Sequence, residues 1–168
     1  MVRVYLKFAA GATAFARGVK TYNGAIGVAD DSTAVKNLVE IAALNNIKTG
    51  MIATSSITHA TPASFFAHTF NRGSEEEIAM DLTQSELDFF AGGGLRFFNN
   101  RKDGQNLLNT LKEKQFVINT TSLSDYATIK SSKKAGFLLA KEAMPTMEEG
   151  RGNFLSKATE LGIQFLSK

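Results

Sequence analysis

Apolar residues recur along this chain at two spacings, and the spacings lay out its elements. Ala9 to Arg17 is alanine-rich and compatible with a helix, with Gly18 placed to end it. The stretch from Tyr22-Asn23-Gly24 to Asp31 is broken by glycine and polar residues and reads as a loop. From Thr33 to Asn45, Val35, Leu38, Val39, Ala42 and Ala43 fall on one helical face, and Ser32 stands where a cap is expected. Gly50 to Ala53 predicts a short strand, and Thr61 to Phe70 a helix with Pro62 in its first turn. Glu75 to Leu82 opens with acidic residues, which a helix N-terminus favours.

The alternation continues. Leu87 to Phe90 predicts a strand ending at Gly92-Gly93-Gly94, and a helix follows near Gly104 to Lys114. Phe116 to Ile118 and Gly136 to Ala140 predict two more strands, and Asn153 to Ser167 a terminal helix. Strands alternating with helices predict an α/β fold with a largely parallel sheet, which must be covered on both faces. The sequence shows no internal repeat, low-complexity run or proline-rich linker, so 1–168 is expected to form a single domain.

Composition narrows the function classes. With 43% hydrophobic and 21% charged residues, wholesale disorder is excluded. No stretch approaches the roughly 20 apolar residues that span a bilayer, and Met1 to Phe8 is too short and mixed for an export signal. Without cysteine there is no disulfide or thiolate chemistry. The net charge is +3, yet the cations are scattered, with only Lys133-Lys134 and Arg101-Lys102 adjacent. That is a solvated surface and not a nucleic-acid stripe, so neither nucleic acid nor membrane is expected as a partner.

Candidate chemistry centres on Thr58-His59-Ala60-Thr61-Pro62 and on Arg72. These residues follow a strand, where α/β folds tend to place ligands. An imidazole suits zinc and a hydroxyl suits magnesium, but read alone Thr61 is equally a helix cap and His59 a loop histidine. A guanidinium suits bidentate contact with phosphate, and Arg72 is equally placed to neutralise a helix C-terminus. His68, one helical turn earlier, is a candidate for orienting it. Gly92-Gly93-Gly94 lacks the spacing of a phosphate-binding loop, so a structural turn is expected there and another at Asp103-Gly104. Phe65-Phe66, Phe89-Phe90 and Phe97-Phe98 are expected in the core.

The segments Arg17-Gly18-Val19-Lys20-Thr21-Tyr22-Asn23-Gly24 to Val28, Thr58 to Pro62, Phe89 to Gly94, Arg101 to Gly104 and Arg151 to Thr159 together resemble the alkaline phosphatase family. The resemblance runs from about Ala9 to Lys168 and covers a middle section of the family domain. It implies part of a three-layer α/β/α sandwich with a mostly parallel sheet, and hydrolysis of phosphate monoesters through a phosphoserine with zinc and magnesium as cofactors. It further implies that Thr61 is a ligand of the third metal site, that His59 influences that site's metal preference, and that Arg72 clamps the substrate phosphate.

Residues 1–8 diverge from the family. Their alternating apolar positions are strand-like, but Lys7 stands in place of a carboxylate and Phe8 in place of the nucleophilic serine, so no catalytic residue is assigned. The family's zinc ligands and its magnesium-binding glutamate lie outside the section matched. The expectation is therefore a partial domain, inactive alone and not fully loaded with metal, as a truncated or frame-shifted reading of a longer gene would give. The alternatives are one half of a split phosphatase completed by a partner chain, or a non-catalytic α/β module that binds phosphate. Expected partners are phosphate or a phosphate monoester, and a second copy or a complementing chain. The family setting is periplasmic or extracellular.

Overall fold

Four short apolar segments line up as one parallel sheet. The computed structural model describes residues 8–168, so the strand pattern of Met1 to Lys7 lies outside the described residues. In chain order the elements are α1 (Phe8–Arg17), α2 (Leu38–Leu44), β1 (Gly50–Ser56), α3 (Ala60–Ala63), α4 (Glu75–Gln84) and β2 (Phe89–Gly93). They continue with α5 (Arg96–Asn99), α6 (Leu107–Glu113), β3 (Phe116–Asn119), α7 (Tyr126–Ile129), β4 (Lys134–Leu138) and α8 (Phe154–Leu166). The strand order is β1-β2-β4-β3, and every pair is parallel.

Along β2, Phe89 and Ala91 join one core while Phe90, between them, joins the other. The first core lies between the sheet and α4, α5 and α6, through Ile78, Leu82, Phe97, Phe98, Leu107 and Leu111. The second lies between the sheet and α7 and α8, through Ile129, Phe154, Ala158, Leu161 and Phe165. Strands β1, β2 and β4 send side chains into both cores, and the edge strand β3 into the first alone, with Val117 exposed. Helices therefore cover both faces, as a parallel sheet requires. The phenylalanine pairs 89–90 and 97–98 are buried in these cores as the sequence predicts.

The faces also locate the topological switch point. From β2 the chain passes to α5 on the first face, and from β4 to α8 on the second, so the crevice between β2 and β4 is where an open α/β sheet usually receives a ligand. Here it is closed by backbone. The Gly94 and Leu95 amides both donate to Ala140 O at 3.0 Å, and Arg96 N donates to Lys141 O at 3.2 Å. Gly92 and Gly93 complete β2, and only Gly94, with φ +98 and a Cβ position that would overlap Ser56 Oγ, makes the turn expected of the whole run.

Two expectations are corrected. The second helix begins at Leu38 and not at Thr33, and its cap is Asn37. The Asn37 Oδ1 accepts from Glu40 N at 2.9 Å and Glu40 Oε2 accepts from Asn37 N at 2.8 Å, a reciprocal capping box. Ser32 has φ +67, outside the extended conformation of a cap. The helix expected over Thr61 to Phe70 is also shortened, to Ala60–Ala63 and a following turn. Its continuation would need backbone groups that are committed elsewhere. Thr69 exchanges both hydrogen bonds with Ile26, at 2.9 and 2.8 Å, and His68 N donates to Asp81 Oδ2 at 2.8 Å. Asn37→Ala should thus lower stability by about 1 kcal/mol, whereas Ser32→Ala should stay within about 0.5 kcal/mol of wild type; urea midpoints of the two variants check the assignment.

Candidate functional site

The candidate residues gather beyond the carboxyl end of β1, which hands the chain through a tight turn to α3. Ile57 N donates to Gly93 O at 3.0 Å and His59 N to Ser56 O at 3.0 Å, and this pins the turn against β2. His59 occupies the N-cap position of α3, in extended backbone conformation, without a side-chain capping bond. Thr61 lies inside that short helix, so the cap reading of Thr61 is replaced by His59. Its side chain is exposed and lines a groove of about 330 Å³ with Thr54, Ser55 and Phe65.

Arg72 is not at a helix end, because the helix stops at Ala63. It sits in the turn that leads into α4, with its amide donating to Gly24 O at 2.8 Å. From there its Nη2 reaches His59 Nε2 at 3.0 Å. A guanidinium only donates, so Nε2 accepts and the ring proton is assigned to Nδ1. Burial, and after it the Arg72 charge, hold the His59 imidazole below its ordinary value of 6.5, with Glu75 opposing them. The imidazole is therefore neutral at physiological pH. Among the described residues, the Nε and Nη1 of Arg72 donate to no protein atom, which leaves one edge of the guanidinium for an oxyanion.

Two residues that no local spacing reveals complete the arrangement. The buried Thr58 hydroxyl donates to Glu75 Oε2 at 2.6 Å and also pairs with the Ser56 hydroxyl. The bond joins the loop carrying His59 to the start of α4, just beyond Arg72. Thr58 and Glu75 are 17 positions apart, so only the fold brings them together. His68 does not orient Arg72. Its Nε2 lies 2.7 Å from Arg17 Nη1 and 3.1 Å from Val35 O, on the far side of the α3 turn. Phe8 is the first residue of α1, with its ring 78% exposed, and offers no nucleophilic atom.

As a metal centre this set is incomplete. Among the described residues no three His, Cys, Asp or Glu side chains are grouped to hold an ion. His59 has given its lone pair to Arg72, and the Glu75 carboxylate is engaged by Thr58. The residues present therefore do not fit a zinc ion, and they offer magnesium only the Thr61 hydroxyl without a change at His59.

Comparison with known proteins gives this geometry its context. The alkaline phosphatase family model matches residues 7–168. The chain belongs to the alkaline phosphatase family. It is 41% identical over 119 residues to alkaline phosphatase 4 of Bacillus subtilis, covering 67% of this chain and 25% of that protein. The alkaline phosphatase of the Antarctic bacterium TAB5 superposes with a TM-score of 0.95 at 71% identity, covering 96% of this chain and 47% of that one. A variant of the TAB5 enzyme in which a histidine is replaced by aspartate, solved with magnesium bound in the site called M3, matches at TM-score 0.95 and 72% identity. The chain thus spans about a quarter of the curated relative's length and about half of the TAB5 structure's.

The lowered affinity of His59 for a proton has a testable consequence. Above pH 6.5 the ring is neutral folded or unfolded; as pH falls below that value the unfolded chain takes up the proton first, so stability is lost. Urea midpoints measured in chelator between about pH 7.5 and about pH 5 should therefore fall further for wild type than for His59→Asn. Equal falls would mean that Arg72 and burial do not act on this ring.

Proposed function

We propose that this chain forms the phosphate-holding section of a phosphate monoester hydrolase, with Arg72 as the clamp. The observation that carries the reading is the Arg72 guanidinium, fixed by His59 at 3.0 Å beyond the carboxyl end of β1 and, among the described residues, with its other edge undonated. A fork held in place loses little freedom on gripping a phosphate, and a bidentate charged contact is stronger than a single neutral one. Family membership and the likeness to the TAB5 enzyme support the same substrate class.

In this reading Thr61 is a ligand of the third metal site and His59 governs which ion that site prefers. The TAB5 histidine-to-aspartate variant with magnesium in M3 supports that placement, with His59 as the counterpart of the replaced histidine. Metal ions held mainly by residues outside this section, with Thr61 contributing to one of them, would supply charge stabilisation and activate the nucleophile. This section orients the phosphate, keeps the His59 ring neutral and excludes solvent beneath the clamp through buried Thr58 and Ile57. The serine nucleophile and the remaining ligands are supplied from outside these 168 residues, by the same polypeptide or by a complementing chain. A periplasmic or extracellular setting accompanies that assignment.

A second reading, phosphate binding without turnover by these 168 residues, is favoured by the absence of a three-ligand cluster among the described residues. One experiment addresses both. Inorganic phosphate is titrated into wild type and Arg72→Ala, with and without chelator, and hydrolysis of an aryl phosphate is followed with zinc and magnesium added. We expect phosphate binding that Arg72→Ala weakens by at least about tenfold, the equivalent of about 1.4 kcal/mol, and no turnover by either protein. Binding indifferent to Arg72→Ala would refute the clamp; zinc-dependent turnover by wild type would refute the need for other parts.

A further inference from the structure

A second cleft, separate from Arg72, opens beyond the same carboxyl end of the sheet, toward its β3 edge. The loops that follow β3 and β4 diverge toward α7 and α8 on the second face and leave about 680 Å³ between them. That is within the range of about 300–1,000 Å³ typical of small-molecule sites, and it lies beyond the carboxyl ends of two parallel strands. Its floor is an outlying part of the second core, with Leu139, Met144, Phe154 and Leu161 facing the space. An apolar floor of this kind takes a hydrocarbon or aromatic body.

The wall carries a cation that the fold does not use. Arg151 is held by its backbone, with its amide donating to Thr146 O at 3.0 Å. The loop beneath is locked by a reciprocal pair, Thr146 N to Glu149 Oε2 at 2.8 Å and Glu149 N to Thr146 Oγ1 at 3.2 Å. Gly150 at φ +91 and Gly152 at φ +58 flank Arg151 in left-handed conformations. The Arg151 Nε is nevertheless buried with no hydrogen-bond partner, and its guanidinium bonds to no acceptor among the described residues. The guanidinium lines the cleft without a protein acceptor, and a charged fork of this kind holds an oxyanion more strongly than a neutral donor does. Lys157, one turn into α8, adds a second positive charge on the same cleft, while Asp125 and Glu160 stand at its exposed rim. The rim carboxylates oppose a free inorganic anion and leave the apolar floor to contribute much of the affinity.

We propose that this cleft binds a small organic anion, a carboxylate or phosphonate-like head on an apolar body, with Arg151 gripping the head and Phe154 and Leu161 the body. The site is independent of Arg72 and of phosphate ester hydrolysis. The test titrates phenylphosphonate, benzoate and inorganic phosphate into the full chain, reading backbone amide shifts by NMR. Saturable binding of phenylphosphonate, benzoate or both is expected to shift residues 121–126 and 139–161, in wild type and equally in Arg72→Ala, where the clamp no longer competes. Arg151→Gln should weaken it by about tenfold, one bidentate charged contact, and Arg72→Ala should leave it unchanged. Lys157→Gln, an exposed position, serves as the second variant should Arg151→Gln fail to fold, and a fewfold weakening is expected. No saturation of these residues by either organic probe, shifts there that follow Arg72 and not Arg151, or inorganic phosphate shifting them as tightly as phenylphosphonate would each overturn the proposal.

Discussion

The Arg17 side chain, at the end of α1, is the contact on which the candidate site's position rests. Its guanidinium donates to Ser64 O at 3.0 Å, Ala67 O at 2.6 Å, Gly27 O at 3.2 Å and Val35 O. One side chain thus ties together the glycine loop, the approach to α2 and the turn after α3. These are irregular segments whose carbonyls have no ladder to join, and buried carbonyls must find a donor. Burial costs the cation enough to bring its pKa down to about 10, with Glu40 and Asp81 holding it up. The glycine at position 27 is part of the same device: with φ +70, any Cβ there would overlap Ala67 O and the Arg17 guanidinium. Replacing Arg17 by an apolar residue would leave the Ser64 and Ala67 carbonyls without the Arg17 donors and cut the link from that turn to Gly27 and Val35, a larger loss than one surface ion pair represents.

The consequence reaches the site through a short relay. Arg17 holds the turn at Ser64 to Ala67, and that turn brings Thr69 onto Ile26 as a bridge. From Thr69 the chain needs only three more residues to put Arg72 N on Gly24 O and its guanidinium on His59. The other side of the site is fixed by the sheet, because His59 follows directly from β1. The Thr58–Glu75 bond then closes the gap between the two supports. Rigid elements carry the residues, and the loops between them are pinned by buried polar contacts.

Much of this was legible in the sequence, and the failures are physically instructive. The strands near 50, 89, 116 and 135 announce themselves by short apolar runs, α4 by its acidic opening, and α6 and α8 by their place in the alternation. The parallel arrangement followed from the alternation. What the sequence did not disclose were bonds between distant positions. Ser32 looked like a cap because the apolar spacing begins near Val35, but the Asn37–Glu40 box has the stronger local chemistry. The helix expected through Phe70 lost to tertiary partners of His68 and Thr69. His68 looked like Arg72's neighbour by helical spacing, and once the helix ended it faced Arg17 instead. The pairing of His59 with Arg72 and the role of Glu75 had no local signal at all.

A single nitrogen, His59 Nε2, stands between the two ligands that a phosphatase must hold. It has one lone pair, and in this arrangement Arg72 takes it. On the proposed reading, a cation at this nitrogen would displace the Arg72 N–H and loosen the fork that phosphate would grip. The two affinities would then be coupled through one contact, and linkage would make the factor the same in both directions.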